Sequence, residues 1–158
     1  MTKLDIEMTD DERAAYLAEQ RTMRLATVGD DGEPQVIPLW FAWVDGVMFF
    51  NTTLGNLSVR NIEANGRAAS TVDDGDSYEQ LRGIVVRGRA RRVEADDAVL
   101  DAVKREHGRK YFAGALPPYD AWRNRSWFRL DPSETTSWDF RKIPEAKERR
   151  RREQEERS

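Results

Sequence analysis

The 158-residue chain contains no cysteine. That absence removes disulfides, zinc–thiolate centres, iron–sulfur clusters and thiol nucleophiles together. One histidine, His107, rules out a multi-histidine metal centre within one subunit. No stretch approaches the roughly 18 consecutive apolar residues of a membrane-spanning helix. No G-x-G-x-x-G follows a strand pattern and no Walker A sequence occurs, so Rossmann and P-loop nucleotide sites are excluded. Neither charge sign dominates: 26 Lys and Arg stand against 29 Asp and Glu, for a net charge of −3. Without a basic domain there is no electrostatic footprint for broad nucleic-acid binding. The N-terminal segment MTKLDIEMTDDER is acidic and polar, unlike a secretory signal. A cytoplasmic protein that binds neither nucleic acid nor membrane is expected.

What remains is 39% hydrophobic and 35% charged, enough for one modest core under a charged surface. Thr9-Asp10-Asp11-Glu12 fits a capping box and predicts a helix over 10–20. Strands are predicted at 22–28, 35–44 and 47–53, turned by Asp31-Gly32 and Asp45-Gly46. A helix at 56–64 and a strand at 67–73 follow. Residues 84–93 alternate Ile84, Val86, Gly88 and Ala90 with Arg87, Arg89 and Arg91, the period-two pattern of a half-buried strand. Gly88 inside it predicts a bulge or a close backbone approach. A helix over 96–107, a Pro117-Pro118 loop and strands at 126–131 and 135–141 complete the domain. Residues 1–143 are thus assigned to one domain, and the charged tail 144–158 to a frayed helix or disorder. Short antiparallel strands with few helices predict a mainly β, six- to seven-stranded barrel. Its late aromatic residues exceed what one small barrel needs inside, which predicts pairing with a second copy.

The segment from Thr52 to Arg67 carries the strongest functional signal. A strand ends in Thr52-Thr53, turns at Gly55 and enters a helix. A helix N-terminus offers unpaired N–H donors and the positive end of its dipole, the elements of a phosphate corner. The run T-L-G-x-x-x-x-x-x-I-E-x-N-x-R from Thr53 to Arg67 is similar to the FMN-phosphate segment of the pyridoxamine-5′-phosphate-oxidase-like split barrels. Gly32-x-Pro34 before VIPLWF, and VVRGRARRV further on, match that family in order and distance.

The resemblance implies a dimeric antiparallel split β-barrel holding a flavin in the cleft between subunits. It places Thr52, Thr53, Asn56 and Ser58 at the phosphate. Pro38, Leu39 and Trp40 fall beside the ring, and Trp138 and Arg141 reach across the interface. The sequence departs from the family at Ser58 and Leu57, which replace a lysine and an arginine. Ile37 likewise replaces an arginine, and Gly83 a glutamine. Arg60, one turn from Asn56, is the first substitute cation expected, with Arg24, Arg87 and Arg89 as further candidates; the alternative for Arg60 is a solvated helix residue. Trp40 either stacks on a ring or fills the core, with the core favoured. The expected function is a reductase of unknown small-molecule substrate, using FMN or the 8-hydroxy-5-deazaflavin coenzyme, with catalytic residues unknown. The alternative is a non-catalytic barrel binding haem or another small ligand, its flavin phosphate site lost.

Overall fold

A computed structural model describes residues 4–157. The N-terminal expectation extends over residues 1–3 and the tail expectation over Ser158, both outside the described residues. Helix α1 (Asp10–Glu19) begins with the capping box: Glu12 N–H donates to Thr9 Oγ1 at 3.2 Å and Thr9 N–H to Glu12 Oε2 at 2.7 Å. The strands are β1 (Met23–Val28), β2 (Pro34–Leu39), β3 (Ala42–Val44), β4 (Val47–Thr53), β5 (Arg67–Asp74), β6 (Arg82–Arg92) and β7 (Arg125–Asp139). Helix α2 (Leu57–Asn65) follows β4, α3 (Val99–Tyr111) follows β6, and α4 (Ile143–Glu156) ends the described chain. All seven strands form one antiparallel sheet in the order β2-β1-β5-β6-β7-β4-β3. The molecule is therefore mainly β, a curled half-barrel sheet with four α-helices among the described residues.

Two packing layers follow from strand alternation. Inside the curl, Leu25, Met48, Phe50, Ile84, Val86, Phe128 and Leu130 meet Leu17 of α1 and Val59 and Ile62 of α2. Outside it, α3 lays Leu100 and Val103 against Phe49 and Trp127. Successive residues of β4 thus serve opposite layers, Phe50 the inner and Phe49 the outer.

Several expectations are corrected in detail. The single strand predicted over 35–44 breaks at Trp40-Phe41 into β2 and β3. The reason is Tyr111 at the end of α3. Its hydroxyl accepts from Phe41 N–H at 2.9 Å and also lies 2.9 Å from Phe41 O and 2.7 Å from Arg21 O. A side chain from α3 thereby satisfies backbone groups that a strand neighbour would otherwise pair. The two late strands are one, β7, because Pro132 sits opposite Gly88 at the register shift of the β6–β7 ladder. A missing N–H costs little there. Gly88 is the bulge predicted: a Cβ on it would strike the Asp131 carbonyl. The last strand stops at Asp139, and Phe140–Lys142 turn into α4. Ala146 is the buried residue of α4, and Arg149, Arg151 and Arg152 pair with Glu145 and Glu148 on the same helix.

Candidate functional site

The predicted corner forms as a turn and a capped helix. Asn56 caps α2, its Oδ1 accepting from Val59 N–H at 2.8 Å, while its Nδ2 donates to Thr52 Oγ1 at 3.1 Å. Ser58 is buried and its hydroxyl donates to Gln35 Oε1 at 3.3 Å. Arg60 folds back over the turn, Nη1 donating to Gly55 O at 2.7 Å. Thr52, Asn56, Ser58 and Arg60 are therefore gathered, but their side chains largely bond one another or nearby groups. Arg24, Arg87 and Arg91 lie elsewhere, paired with Asp73, Glu134 and Asp131, and Arg89 donates to Asn65 O. Ile37 points toward the inner core, where an arginine would have to bury its charge.

Beside this corner opens a cavity of about 890 Å³. Pro38, Leu39 and Trp40 form one wall, His107 and Phe112 of the α3 end another, and residues 121–125 with Asn51 a third. Trp40 does not fill the core: it is 47% exposed. One ring face stacks on Tyr111, at 4.3 Å and 3° between planes. Tyr111 is anchored by its hydroxyl to Phe41 and Arg21, so it holds the indole at the cavity edge. Phe112 meets the indole edge-on at 6.0 Å.

Sequence reasoning missed the cations of this cavity. Arg125 opens β7 directly opposite Thr53 of β4, and Leu54 N–H donates to Asn124 O at 2.8 Å, fastening the 122–125 segment to the corner turn. Arg125 Nε donates to Asn51 Oδ1 at 2.6 Å and Nη2 to Asn51 O at 2.9 Å. Neither Arg123 nor Arg125 has an ion-pair partner among the described residues, although both line the cavity. The run Arg123-Asn124-Arg125 before an aromatic strand was the available signal; only the β4–β7 pairing brings it to the corner.

His107 and Lys110 are the buried titratable groups of the last turns of α3. His107 Nδ1 lies 2.8 Å from the Tyr119 hydroxyl. Burial, then the positive charges of Lys110 and Arg125, lowers its pKa to about 4, so the ring is neutral at physiological pH. Burial lowers Lys110 to about 7; its Nζ donates to Leu17 O at 3.1 Å and sits 3.6 Å from the Phe41 ring centre. Burial raises Tyr111 and Tyr119 to about 12, so both keep their protons.

Trp138 and Arg141 do not line the cavity of their own chain. Trp138 lies over Gly83, its cross-strand partner, where any Cβ would collide with the indole. The glycine is there to admit the ring. Arg141 is held by Asp139, with Nε donating at 2.8 Å and Nη2 at 2.6 Å. That contact keeps the Asp139 carboxyl below its usual range.

Thr52, Thr53, Asn56, Ser58 and Arg60 do not themselves line this cavity, which adjoins their turn through Asn51 and Asn124. The curled antiparallel sheet with α2 packed inside it is the architecture of the split-barrel class. A model of the pyridoxamine 5′-phosphate oxidase family matches residues 9–139, and the chain belongs to that family. Among solved structures, the conserved hypothetical protein Rv2991 of Mycobacterium tuberculosis is 30% identical over 91% of this chain and 92% of that chain, with a TM-score of 0.79. A structure named F420 reductase is 31% identical over 77% of this chain and 93% of its own, with a TM-score of 0.58. The haem storage protein HutZ of Vibrio cholerae shares the fold at 19% identity over 82% of this chain and 96% of that chain, with a TM-score of 0.69. No curated protein sequence matches significantly. No helix among the described residues is long and apolar enough to cross a membrane.

Proposed function

We propose that this protein is a flavin- or deazaflavin-dependent reductase of a small-molecule substrate, with its cofactor in the cavity beside the β4–α2 turn. One observation carries the proposal: a cavity large enough for a tricyclic ring has an open tryptophan face at one side and, at the other, two arginines without an ion-pair partner among the described residues. Pro38, Leu39 and Trp40 would flank the ring. The phosphate would meet Thr53, the start of α2 at Asn56, and the guanidinium groups of Arg60, Arg123 and Arg125. These cations take the place of the lysine and arginines absent at Ser58, Leu57 and Ile37. When bound, the cofactor would carry the hydride; the chain's residues bind it, orient it and shield it from water.

The cavity is open on one side, and a second copy of the chain is proposed to close it. The outer sheet face supports this. Val36, Ala26 and Ala69 align across β2, β1 and β5, with Thr71 and Val85 in the next row. Val36 is 63% exposed, and the face's charges are already paired as Arg24–Asp73 and Arg87–Glu134. Trp138 lies on the same face. In the homodimer the partner subunit's Trp138 and the partner subunit's Arg141 would complete the cleft.

The test is fluorescence titration with FMN and, separately, the deazaflavin coenzyme F420. Micromolar or tighter binding of one is expected. Arg125→Ala and Arg60→Ala should each weaken it about tenfold, the loss of a charge-assisted contact, while Arg91→Ala leaves it unchanged. Equal affinities across the three variants would remove these arginines from the site. A second reading is favoured by the corner itself, where Thr52, Ser58 and Arg60 already have partners within the chain. On that reading the barrel binds haem or another small ligand without catalysis. Failure of both flavins to bind would select it.

A further inference from the structure

The chain's single histidine sits in the cavity wall with one ring nitrogen engaged and the other open. Nδ1 is 2.8 Å from the Tyr119 hydroxyl. Tyr119 is 8% exposed, keeps its proton, and its hydroxyl has no other acceptor among the described residues. A buried hydroxyl donates wherever an acceptor lies within reach, and here that acceptor is Nδ1. A neutral imidazole accepting at Nδ1 carries its proton on Nε2.

Nε2 itself has no partner among the described residues. Among the described residues the one fully buried side-chain nitrogen or oxygen without a partner is Ser70 Oγ, so Nε2 is not fully enclosed; His107 is 3% exposed overall and lines the cavity. The ring cannot easily turn away. Trp127 stands perpendicular to it at 5.3 Å, Tyr111 packs at 4.6 Å and Tyr119 at 5.6 Å. The groups that act on it are Lys110 from its own helix, cationic below its lowered pKa of about 7, and the Arg125 guanidinium from β7. Neither favours a second proton on the ring. Asn51, across the same cavity, has its side-chain oxygen engaged by Arg125.

We propose that His107, fixed by Tyr119, presents a neutral Nε2–H donor to the cavity, and that the ligand places a carbonyl oxygen against it. The ligand half of this rests on the cofactor reading above; the tautomer half does not. A carbonyl-bearing planar ring stacked near Trp40 would be read at its edge by this donor, making His107 a positioning residue for ring orientation. The same tautomer disfavours His107 as an axial ligand to iron. Ligation needs a bare Nε2, which would move the proton to Nδ1 and leave the Tyr119 hydroxyl without an acceptor.

The single imidazole makes the test direct. A long-range proton–nitrogen correlation spectrum of the labelled, ligand-free protein at pH 7 should show one neutral ring protonated on Nε2. Tyr119→Phe should abolish that preference. A ring protonated on Nδ1 in the wild type overturns the proposal whatever the cofactor. With whichever of FMN or F420 the wild type binds, His107→Phe should weaken binding about three- to tenfold and His107→Gln, which restores an N–H donor, by less than twofold. Unchanged affinity in His107→Phe overturns the ligand half. If neither flavin binds the wild type, the cofactor reading falls by itself and haemin becomes the probe. Identical haemin spectra for wild type and His107→Ala then support the donor assignment, and a band lost in the variant overturns it.

Discussion

His107 is neutral in the folded protein because its surroundings deny it a proton. In an unfolded chain the same side chain titrates near its ordinary value of about 6.5. Between that value and about 4 the unfolded chain binds more protons than the folded one. Folding stability therefore falls as pH drops through this window, by on the order of 3 kcal/mol if the full shift is expressed. His107→Gln should lose that component. Denaturant midpoints at pH 7 and pH 4 should converge more in the variant than in the wild type. Trp40 illustrates another residue-scale effect. Its indole is exposed on one face because Tyr111, whose hydroxyl accepts from Phe41 N–H and donates its one proton between the nearby Arg21 and Phe41 carbonyls, occupies the other. Its aromatic character was legible in the sequence, but its exposure was not, since Tyr111 is 71 positions away.

At the scale of elements, caps and turns did what their residue types dictate. Asp45-Gly46 adopts positive φ at both positions, 50° and 76°, and joins β3 to β4 as a tight hairpin. Gly66 ends α2 in the left-handed region at φ 67°. Asn56 both caps α2 and holds Thr52. Asn56→Ala should cost about 1 kcal/mol by thermal or denaturant unfolding, the usual value of a lost N-cap. Gly83→Ala should cost about 1–3 kcal/mol, because the new methyl displaces the Trp138 indole. A shift in near-ultraviolet circular dichroism would report the moved ring. The breaks and fusions of strands were not legible. Whether β2 continues into β3 depends on a hydroxyl from α3, and whether β7 runs through Pro132 depends on a register shift opposite Gly88.

For the whole molecule, the outer sheet face and the one-sided cavity raise the same question, which is what covers them. The proposed homodimer predicts that Ala69→Glu, a charge at the middle of the small-residue face, yields a monomer by light scattering at micromolar concentration. Cofactor binding should weaken with it. A wild-type monomer under those conditions would remove the shared cleft.

The sequence by itself determined the antiparallel strand pattern, the turns, the cap of α2 and membership of the split-barrel family. Those features depend on residue periodicity and on local rules about which side chains tolerate which backbone. Only the tertiary structure decided where the cations go. Arg123 and Arg125 are some seventy positions from the turn they adjoin, and the β4–β7 ladder alone makes them its neighbours. It also decided the tautomer-setting contact of His107, since a hydrogen bond between a helix and a loop depends on how the two pack. Periodicity encodes which face a residue takes; pairing between distant segments determines what that face meets.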